Sequence, residues 1–403
     1  MSRAALEGIV VVDFSRVLAG PYATMLLGDY GAEVIKIERP GVGDDTRAWG
    51  PPYDSEGVAT YFNAINRNKR SVAVDLATPE GVARARDLVA AADIVVENFR
   101  PGTMERLGLG FADLRRIRPD LIYCAITGFG RDGGAALPGY DLLVQAVGGL
   151  MSVTGPAPGA PTKVGVALVD VLTGLHALSG ILAALHHRDR TGEGQRVDTN
   201  LLSSLLSSMV NQASGYLGAG VVPGIMGNRH PSIAPYETFD TADRPIVLAV
   251  GNDKQFAAIA DRLGIPEILS DNRFTTNSDR VANRDALCAI LGQVLVTRGA
   301  DHWHEVLTGA GVPVGPINDL AEAFEFAGRL GLEPVVEVPG TPTPQVANPV
   351  VLSATPVSYR LPPPALAEES SEHPDCDDVD LKASARFRGS DATSDADRPA
   401  RDG

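Results

Sequence analysis

The chain has too few cysteines for a disulfide framework. Its 403 residues hold three, Cys124, Cys288 and Cys376, odd in number and far apart. Neither a bridged scaffold nor a cysteine-rich zinc site can be assembled from them, which fits a reducing cytoplasm. Positive charge is also scarce: 35 Lys and Arg stand against 50 Asp and Glu, a formal charge of −15. A field of that sign repels phosphate backbones and anionic lipid, which excludes nucleic acid and membrane as bulk partners. No G-x-x-x-x-G-K-[ST] phosphate loop and no G-x-S-x-G nucleophile elbow occurs. The histidines suggest no metal site. His302 and His304 are two apart and diverge by about 200° on a helix, and His186-His187 suit a helix end, where positive charge is favoured. The amino terminus, Met-Ser-Arg-Ala-Ala-Leu-Glu, has no apolar stretch before a cleavage site, so no signal peptide is expected and the expected location is cytoplasmic. No internal repeat is found.

What the chain does have is apolar mass. Hydrophobic residues make up 44% and charged residues 21%, ordinary globular usage with ample material for a large core. The length alone suggests two to three domains, or one large domain with additions. The first third alternates strand and helix signals. Ile9 to Phe14, Glu33 to Glu38, Ser71 to Asp75, Ile94 to Glu97 and Leu121 to Thr127 read as strands. Helices are predicted between them: 22–30, with Pro21 at its first position and Gly31 as its stop; 79–91, capped by Thr78; and 103–117. Such alternation predicts an α/β fold with a mostly parallel sheet, whose ligands bind beyond the carboxyl ends of the strands.

Helices dominate next, at about 141–150, 166–188 and 200–218, with a short strand from Arg196 to Asp198. Residues 164–187 are long and apolar enough to cross a bilayer. Asp170, Thr173, His176 and Ser179 within them favour a core helix instead, because a mid-bilayer Asp costs a few kcal/mol. Residues 220–236 are loop-like, and 237–325 read as a smaller α+β unit, with a strand at 245–250 and helices near 253–263, 280–296 and 301–310. Pro- and Val-rich chain follows to 364. The expected division is therefore 1–200 as the first part of a large domain, 201–236 as helix and linker, 237–325 as a small domain, and 326–365 as a return to the large one. The tail 366–403, with eleven acids, five bases and almost no large apolar residues, is expected to be disordered.

Three features point to chemistry. Gly128-Phe-Gly-Arg-Asp-Gly133 follows a strand, but Pro138-Gly139 interrupts any helix and nothing acidic lies between Asp141 and Asp170, so it reads as a glycine-rich loop rather than a dinucleotide fingerprint. Asp170 stands among Val166, Ala167, Leu168, Val169, Val171 and Leu172. A carboxylate there is paired, bonded to a helix N-terminus, protonated, or kept for chemistry, and position alone does not choose among these. Arg39, Lys69, Arg70, Arg100 and Arg106 lie near strand ends, where they either converge on a phosphate-bearing ligand or are simply solvated.

The order of motifs resembles the family III coenzyme A transferases, the group of formyl-CoA and carnitine CoA transferases (CaiB/BaiF-type) and α-methylacyl-CoA racemases. The matching stretches run from Asp13-Phe-Ser-Arg-Val-Leu-Ala-Gly-Pro21 through Gly28 to Pro40, Asn66 to Val72, Val95 to Gly102, Pro138 to Asp141 and Gly165 to Asp170. Thr191 to Gln195, Val250 to Asp253 and Ala310 to Ile317 complete them, and together they span roughly 6–364. The resemblance implies a large Rossmann-like domain with a parallel sheet, interrupted by a smaller α+β domain, in an interlocked homodimer. It implies coenzyme A or acyl-CoA and a small carboxylic acid as substrates, with no permanently bound cofactor and no metal. It implies Asp170 as the nucleophile, forming an aspartyl anhydride and then an aspartyl-CoA thioester, with Gly251 and Asn252 near the oxyanion. The CoA site carries over to Val17, Ala19, Arg39, Asn98, Phe99 and Arg106, with Lys69 and Arg70 as further members. Tyr140 stands where the racemases carry a proton-transferring His; a phenol, with a reference pKa near 10, is a poor substitute at neutral pH. That favours CoA transfer over racemisation, the two alternatives being a racemase and an inactive CoA-binding homologue. Leu18 stands where formyl-CoA transferases have Gln, and the usual Gly-Glu-His-Thr near the carboxyl terminus is missing. Arg47 is the residue to which a preference for dicarboxylates is attached.

Overall fold

The computed structural model describes residues 4–367, so the acidic tail from residue 368 lies outside the described residues. Six strands form one sheet: β1 (Val10–Asp13), β2 (Glu33–Glu38), β3 (Lys69–Ala73), β4 (Ile94–Glu97), β5 (Ile122–Thr127) and β6 (Arg196–Asn200). Their spatial order is β3-β2-β1-β4-β5-β6 and every pairing is parallel, with Val12 opposite both Ile35 and Val95. Strands covered on both faces must be apolar throughout, and Val10, Val11 and Val12 are buried without alternation. The order reverses between β1 and β4, and at such a switch point the loops after the two strands diverge and leave a crevice.

Two compact units are built from interleaved stretches. Among the described residues, the larger takes 4–148, Gly165–Ala213 and 333–367; the smaller takes Gly149–Val164 and Ser214–Leu332. Residues 149–164, read from sequence as part of the large domain, thus belong to the smaller unit. That unit has its own antiparallel sheet, β7 (Tyr236–Phe239), β8 (Ile246–Ala249) and β9 (Val314–Pro316), over a core that includes Phe256, Leu287, Leu291 and Trp303. Trp303 is a core residue whose Nε1 donates to the Leu295 carbonyl at 2.7 Å.

Several predicted elements shift or break for local reasons. The first helix, α1 (Ala19–Asp29), starts earlier than expected, which puts Pro21 third in its first turn, where its missing N–H is still harmless. The predicted 103–117 helix is two, Thr103–Arg106 and Phe111–Ile117, parted at Gly108 with φ of +67°. The predicted 200–218 helix divides at Val210, where φ is +35°.

The return segment is fastened at Asp29. Its carboxylate accepts from Arg67 Nε (2.9 Å) and Nη2 (2.7 Å), Asn68 Nδ2 (2.8 Å) and Asn348 Nδ2 (3.1 Å). Asn68 Oδ1 in turn accepts the N–H groups of Arg360 and Leu361. The Asp29–Arg67 pair is almost fully buried, and removing one partner of such a pair costs about 3–5 kcal/mol.

Candidate functional site

A cleft of about 370 Å³ opens at the switch point. Arg16, Val17, Leu18 and Ala19, from the turn after β1, form one wall, and Asn98, Phe99, Arg100 and Thr103, after β4, form another. Gly128, Gly139, Tyr140 and Asp170 also line it, as does Asp45, which pairs with Arg16 at 3.6 Å. Gly128 and Gly139 touch: a Cβ on Gly128 would lie 2.6 Å from the Gly139 Cα, so only glycines let these two loops close together.

Asp170 is the third residue of the helix Leu168–Thr191. The residue before that helix, Ala167, offers no capping side chain. Asp141 supplies one from the head of the helix Asp141–Val147: its Oδ1 accepts Val169 N–H at 2.7 Å and Asp170 N–H at 3.3 Å, while its Oδ2 accepts Gln145 Nε2 at 2.6 Å. Burial first, and then the negative charge of Asp141, push the Asp170 carboxyl up to about 7. Tyr61 belongs to the same electrostatic neighbourhood: burial and the charges of Asp170 and Asp141 raise its phenol. One turn after Asp170 on the same face, Gly174 lies against α1, where a Cβ would come within 2.6 Å of the Ala19 carbonyl. The close contact seats the helix bearing Asp170 directly under the Ala19 wall.

Of the residues named from sequence, Val17, Ala19, Asn98, Phe99, Tyr140 and Asp170 meet in this cleft. Asn98 spends both amide atoms on Arg16, accepting its N–H (2.9 Å) and donating to its carbonyl (2.7 Å), so it shapes the wall rather than offering a free polar group. Phe99 has the Arg16 guanidinium 5.3 Å from its ring centre. Tyr140 is 63% exposed. Arg106 is exposed and donates to the cleft residue Thr103 at 3.0 Å, while Arg39 is exposed just beyond β2 and is not part of the lining.

Three expectations, those for Lys69, Arg70 and Arg47, need correction. Lys69 is fully buried, its Nζ donating to Asp13 Oδ2 (3.2 Å), the Pro21 carbonyl (2.8 Å) and Asn66 Oδ1 (3.0 Å), so it cannot touch a ligand. Arg70 is the second residue of β3, at the amino end of the sheet, and pairs with Glu33 at 3.5 Å, away from the carboxyl ends where the cleft lies. Gly251 and Asn252 lie in the smaller unit, where Gly251 N–H donates to Gln255 Oε1 (2.8 Å) and Asn252 Oδ1 caps the helix Asp253–Arg262 through Gln255 N–H (2.9 Å), a bond that does not involve the Asn252 N–H. Arg47 is clamped to Glu38 by two bonds of 2.9 and 2.6 Å and stacked on Phe62, which removes it as a seat for a substrate carboxylate.

Arg16, Asp141 and Tyr61 escaped the sequence reading. The switch-point rule, applied to the residues after β1, would have found Arg16; Asp141 closes the Pro138–Asp141 motif, which does not reveal that it caps the Asp170 helix, and no local signal marks Tyr61.

A family model described as CoA-transferase family III matches residues 6–370. A succinate–glutarate CoA-transferase of Agrobacterium fabrum is 45% identical over 378 residues, covering 91% of this chain and 94% of the relative. The succinyl-CoA:glutarate CoA-transferase of Mus musculus is 43% identical over 369 residues, covering 91% and 84%. Among solved structures, a CAIB/BAIF family protein from Brucella suis aligns with a TM-score of 0.82 at 42% identity, covering 94% of this chain and all of that one.

Proposed function

This chain belongs to CoA-transferase family III, and from that premise we propose that Asp170 carries CoA between a dicarboxylic acyl-CoA and a dicarboxylic acid. The observation that carries the reading is an acid raised to about 7, seated in a cleft at the switch point of a Rossmann-type sheet. A carboxylate needs no proton removed before it attacks, and raising its pKa makes the ionised form more basic than an ordinary aspartate. The ionised Asp170 attacks the thioester carbonyl; the C–S bond breaks, CoA leaves as thiolate, and an anhydride remains. The thiolate attacks the Asp170 carbonyl carbon of that anhydride, releasing the donor acid as its carboxylate and leaving an aspartyl-CoA thioester. The acceptor carboxylate displaces CoA from Asp170, and the thiolate then takes the acceptor's acyl group, restoring Asp170. No proton or electron is gained or lost over the cycle. A cleft that limits water protects the anhydrides. Arg100 on the wall suits the phosphates of CoA, and Arg16 does so once it gives up its 3.6 Å pairing with Asp45, which also lines the cleft.

The dicarboxylate class is supported by the printed activities of the two relatives, whose acids have four and five carbons. The racemase alternative is disfavoured by Tyr140, an exposed phenol in place of an imidazole. We take the working form to be a homodimer, a reading supported by Leu175 and Leu182, which leave apolar surface on the Asp170 helix exposed.

The test is a donor–acceptor screen with wild type and Asp170→Ala, with succinyl-CoA and glutarate as the first pair. Wild type should transfer CoA, hydroxylamine should trap an aspartyl hydroxamate at Asp170, and the variant should bind CoA but transfer none. Transfer by Asp170→Ala would remove the covalent route. α-Carbon deuterium exchange in a 2-methylacyl-CoA without any acceptor acid would favour the racemase.

A further inference from the structure

The turn between β1 and α1 leaves main-chain groups that neither element can satisfy. Side chains satisfy five in succession. Ser15 N–H donates to Asp13 Oδ1 (2.9 Å), and the Ser15 carbonyl accepts from Lys36 Nζ (3.0 Å). Arg16 N–H and carbonyl bond Asn98, and Val17 N–H donates to Asp44 Oδ1 (3.3 Å). At the centre of this turn Val17 has φ of +71°. A β-branched residue avoids that region, because its Cβ crowds the backbone, and it persists there only when its surroundings impose it. Asp44 is well placed to do so. It is buried, its Oδ2 accepts Lys36 Nζ at 2.8 Å, and its Oδ1 also accepts Thr46 N–H (3.0 Å) and Thr46 Oγ1 (2.8 Å). Lys36 therefore ties Asp44 to the same turn through the Ser15 carbonyl.

We propose that Asp44, locked by Lys36, is a positioning residue that holds Val17 in its left-handed conformation and thereby presents the Val17–Ala19 wall to acyl-CoA. The inference rests on the preceding reading that the cleft takes acyl-CoA. It goes beyond a stabilising ion pair, because it requires the effect of Asp44 on binding to depend on which residue stands at 17. Glycine reaches φ of +70° without crowding, so it removes the need for an external hold.

The experiment is a double-mutant cycle of Asp44→Asn and Val17→Gly, read by isothermal titration with CoA and by KM and kcat, each protein first checked by circular dichroism. Wild type binds CoA. Asp44→Asn, which puts an amide NH2 where Oδ2 accepts Lys36 Nζ and so breaks the lock that orients Oδ1 toward Val17, should weaken binding about tenfold, which corresponds to ~1.4 kcal/mol, and raise KM for acyl-CoA to match while kcat stays within about twofold. In the Val17→Gly background the same change should cost less than about threefold. Equal losses in both backgrounds, or a folded Asp44→Asn that binds within about twofold of wild type, overturn the inference and leave the reading of the cleft intact. A wild type that binds no CoA overturns both. Should Asp44→Asn fail to fold, Asn98→Ala takes its place, since it frees the same turn at Arg16. Its loss must likewise shrink in the Val17→Gly background, and a loss independent of residue 17 counts against the proposal.

Discussion

Asp141 and Asp170 are held with one carboxylate against the backbone of the other: Asp141 Oδ1 accepts the Asp170 N–H at 3.3 Å. The contact orders the first turn of the Asp170 helix and places a negative charge beside the acid that the turn carries. Replacing Asp141 with Asn keeps an acceptor for Val169 and Asp170 but removes the charge, which is the second cause of the raised Asp170 pKa. Activity requires ionised Asp170, whose carboxyl is pushed up to about 7, so the acid limb of kcat/KM is expected near there in wild type and should move to lower pH in Asp141→Asn. A pH–rate profile checks this, and a limb that does not move would mean that Asp141 acts only as a cap.

Asp170 itself should lower stability while serving chemistry. Its pKa in the folded protein lies above the ordinary aspartate value of 3.8, so the folded state binds the proton more tightly than the unfolded state. That mismatch costs nothing below pH 4, grows between 4 and about 7, and is complete above. Asp170→Asn should therefore abolish transfer by more than about a thousandfold yet melt about 2–5 °C higher than wild type at pH 8. The gain should fade at pH 4.5. Scanning calorimetry at the two pH values measures both.

Gly174→Ala sets two effects against each other. Mid-helix, Ala is favoured over Gly by about 0.5–1 kcal/mol. Here its Cβ would stand 2.6 Å from the Ala19 carbonyl, a backbone atom that cannot swing aside, and overpacking of that kind costs about 1–3 kcal/mol. The clash should win. We expect a net loss of about 1–2 kcal/mol by denaturant titration and a fall in kcat/KM of about tenfold or more, because the Ala19 wall moves relative to Asp170.

Lys69 and Arg106 should separate cleanly. Lys69→Met leaves Asp13 buried without its cation and should cost about 3–5 kcal/mol of stability. Adding Asp13→Asn should restore a good part of that loss, because the uncompensated charge is gone. Arg106→Ala, on an exposed side chain, should leave the fold intact and raise KM for acyl-CoA by about two- to fivefold, less at high salt.

Sequence located β2 and β4 to the residue and β5 to within one; in β4 and β5 the apolar run leaves no choice of environment, and in β2 the alternation over Glu33–Glu38 marks the strand. β3 starts two residues before its predicted start because it begins with Lys69-Arg70, a pair that reads as surface. Lys69 is buried there only because Asp13, 56 positions away in sequence, neutralises it. The same cause limited the site. Asp170 was legible as an acid in an apolar helix, and the Asn98-Phe99 wall as the residues after a strand. Asp141 gained its meaning from a cap it supplies 28 and 29 residues later, which no local pattern announces. The roles expected for Lys69, Arg70 and Arg47 failed because a cation near a strand end can be consumed by a neighbouring acid, and pairing is a property of space.

The Asp29 clamp also has a consequence in time. Asn348 bonds a carboxylate that leaves the ribosome 319 residues earlier. When α1 and the first strands emerge, the segment that will fasten them has not been made, and the whole smaller unit must be synthesised in between. The long-range closure this demands is entropically slow, and until it occurs Asp29 and Arg67 rely on each other and on Asn68 alone within this clamp. Nascent chains released before Asn348 should therefore hold their parallel sheet loosely and be drawn preferentially to chaperones and proteases.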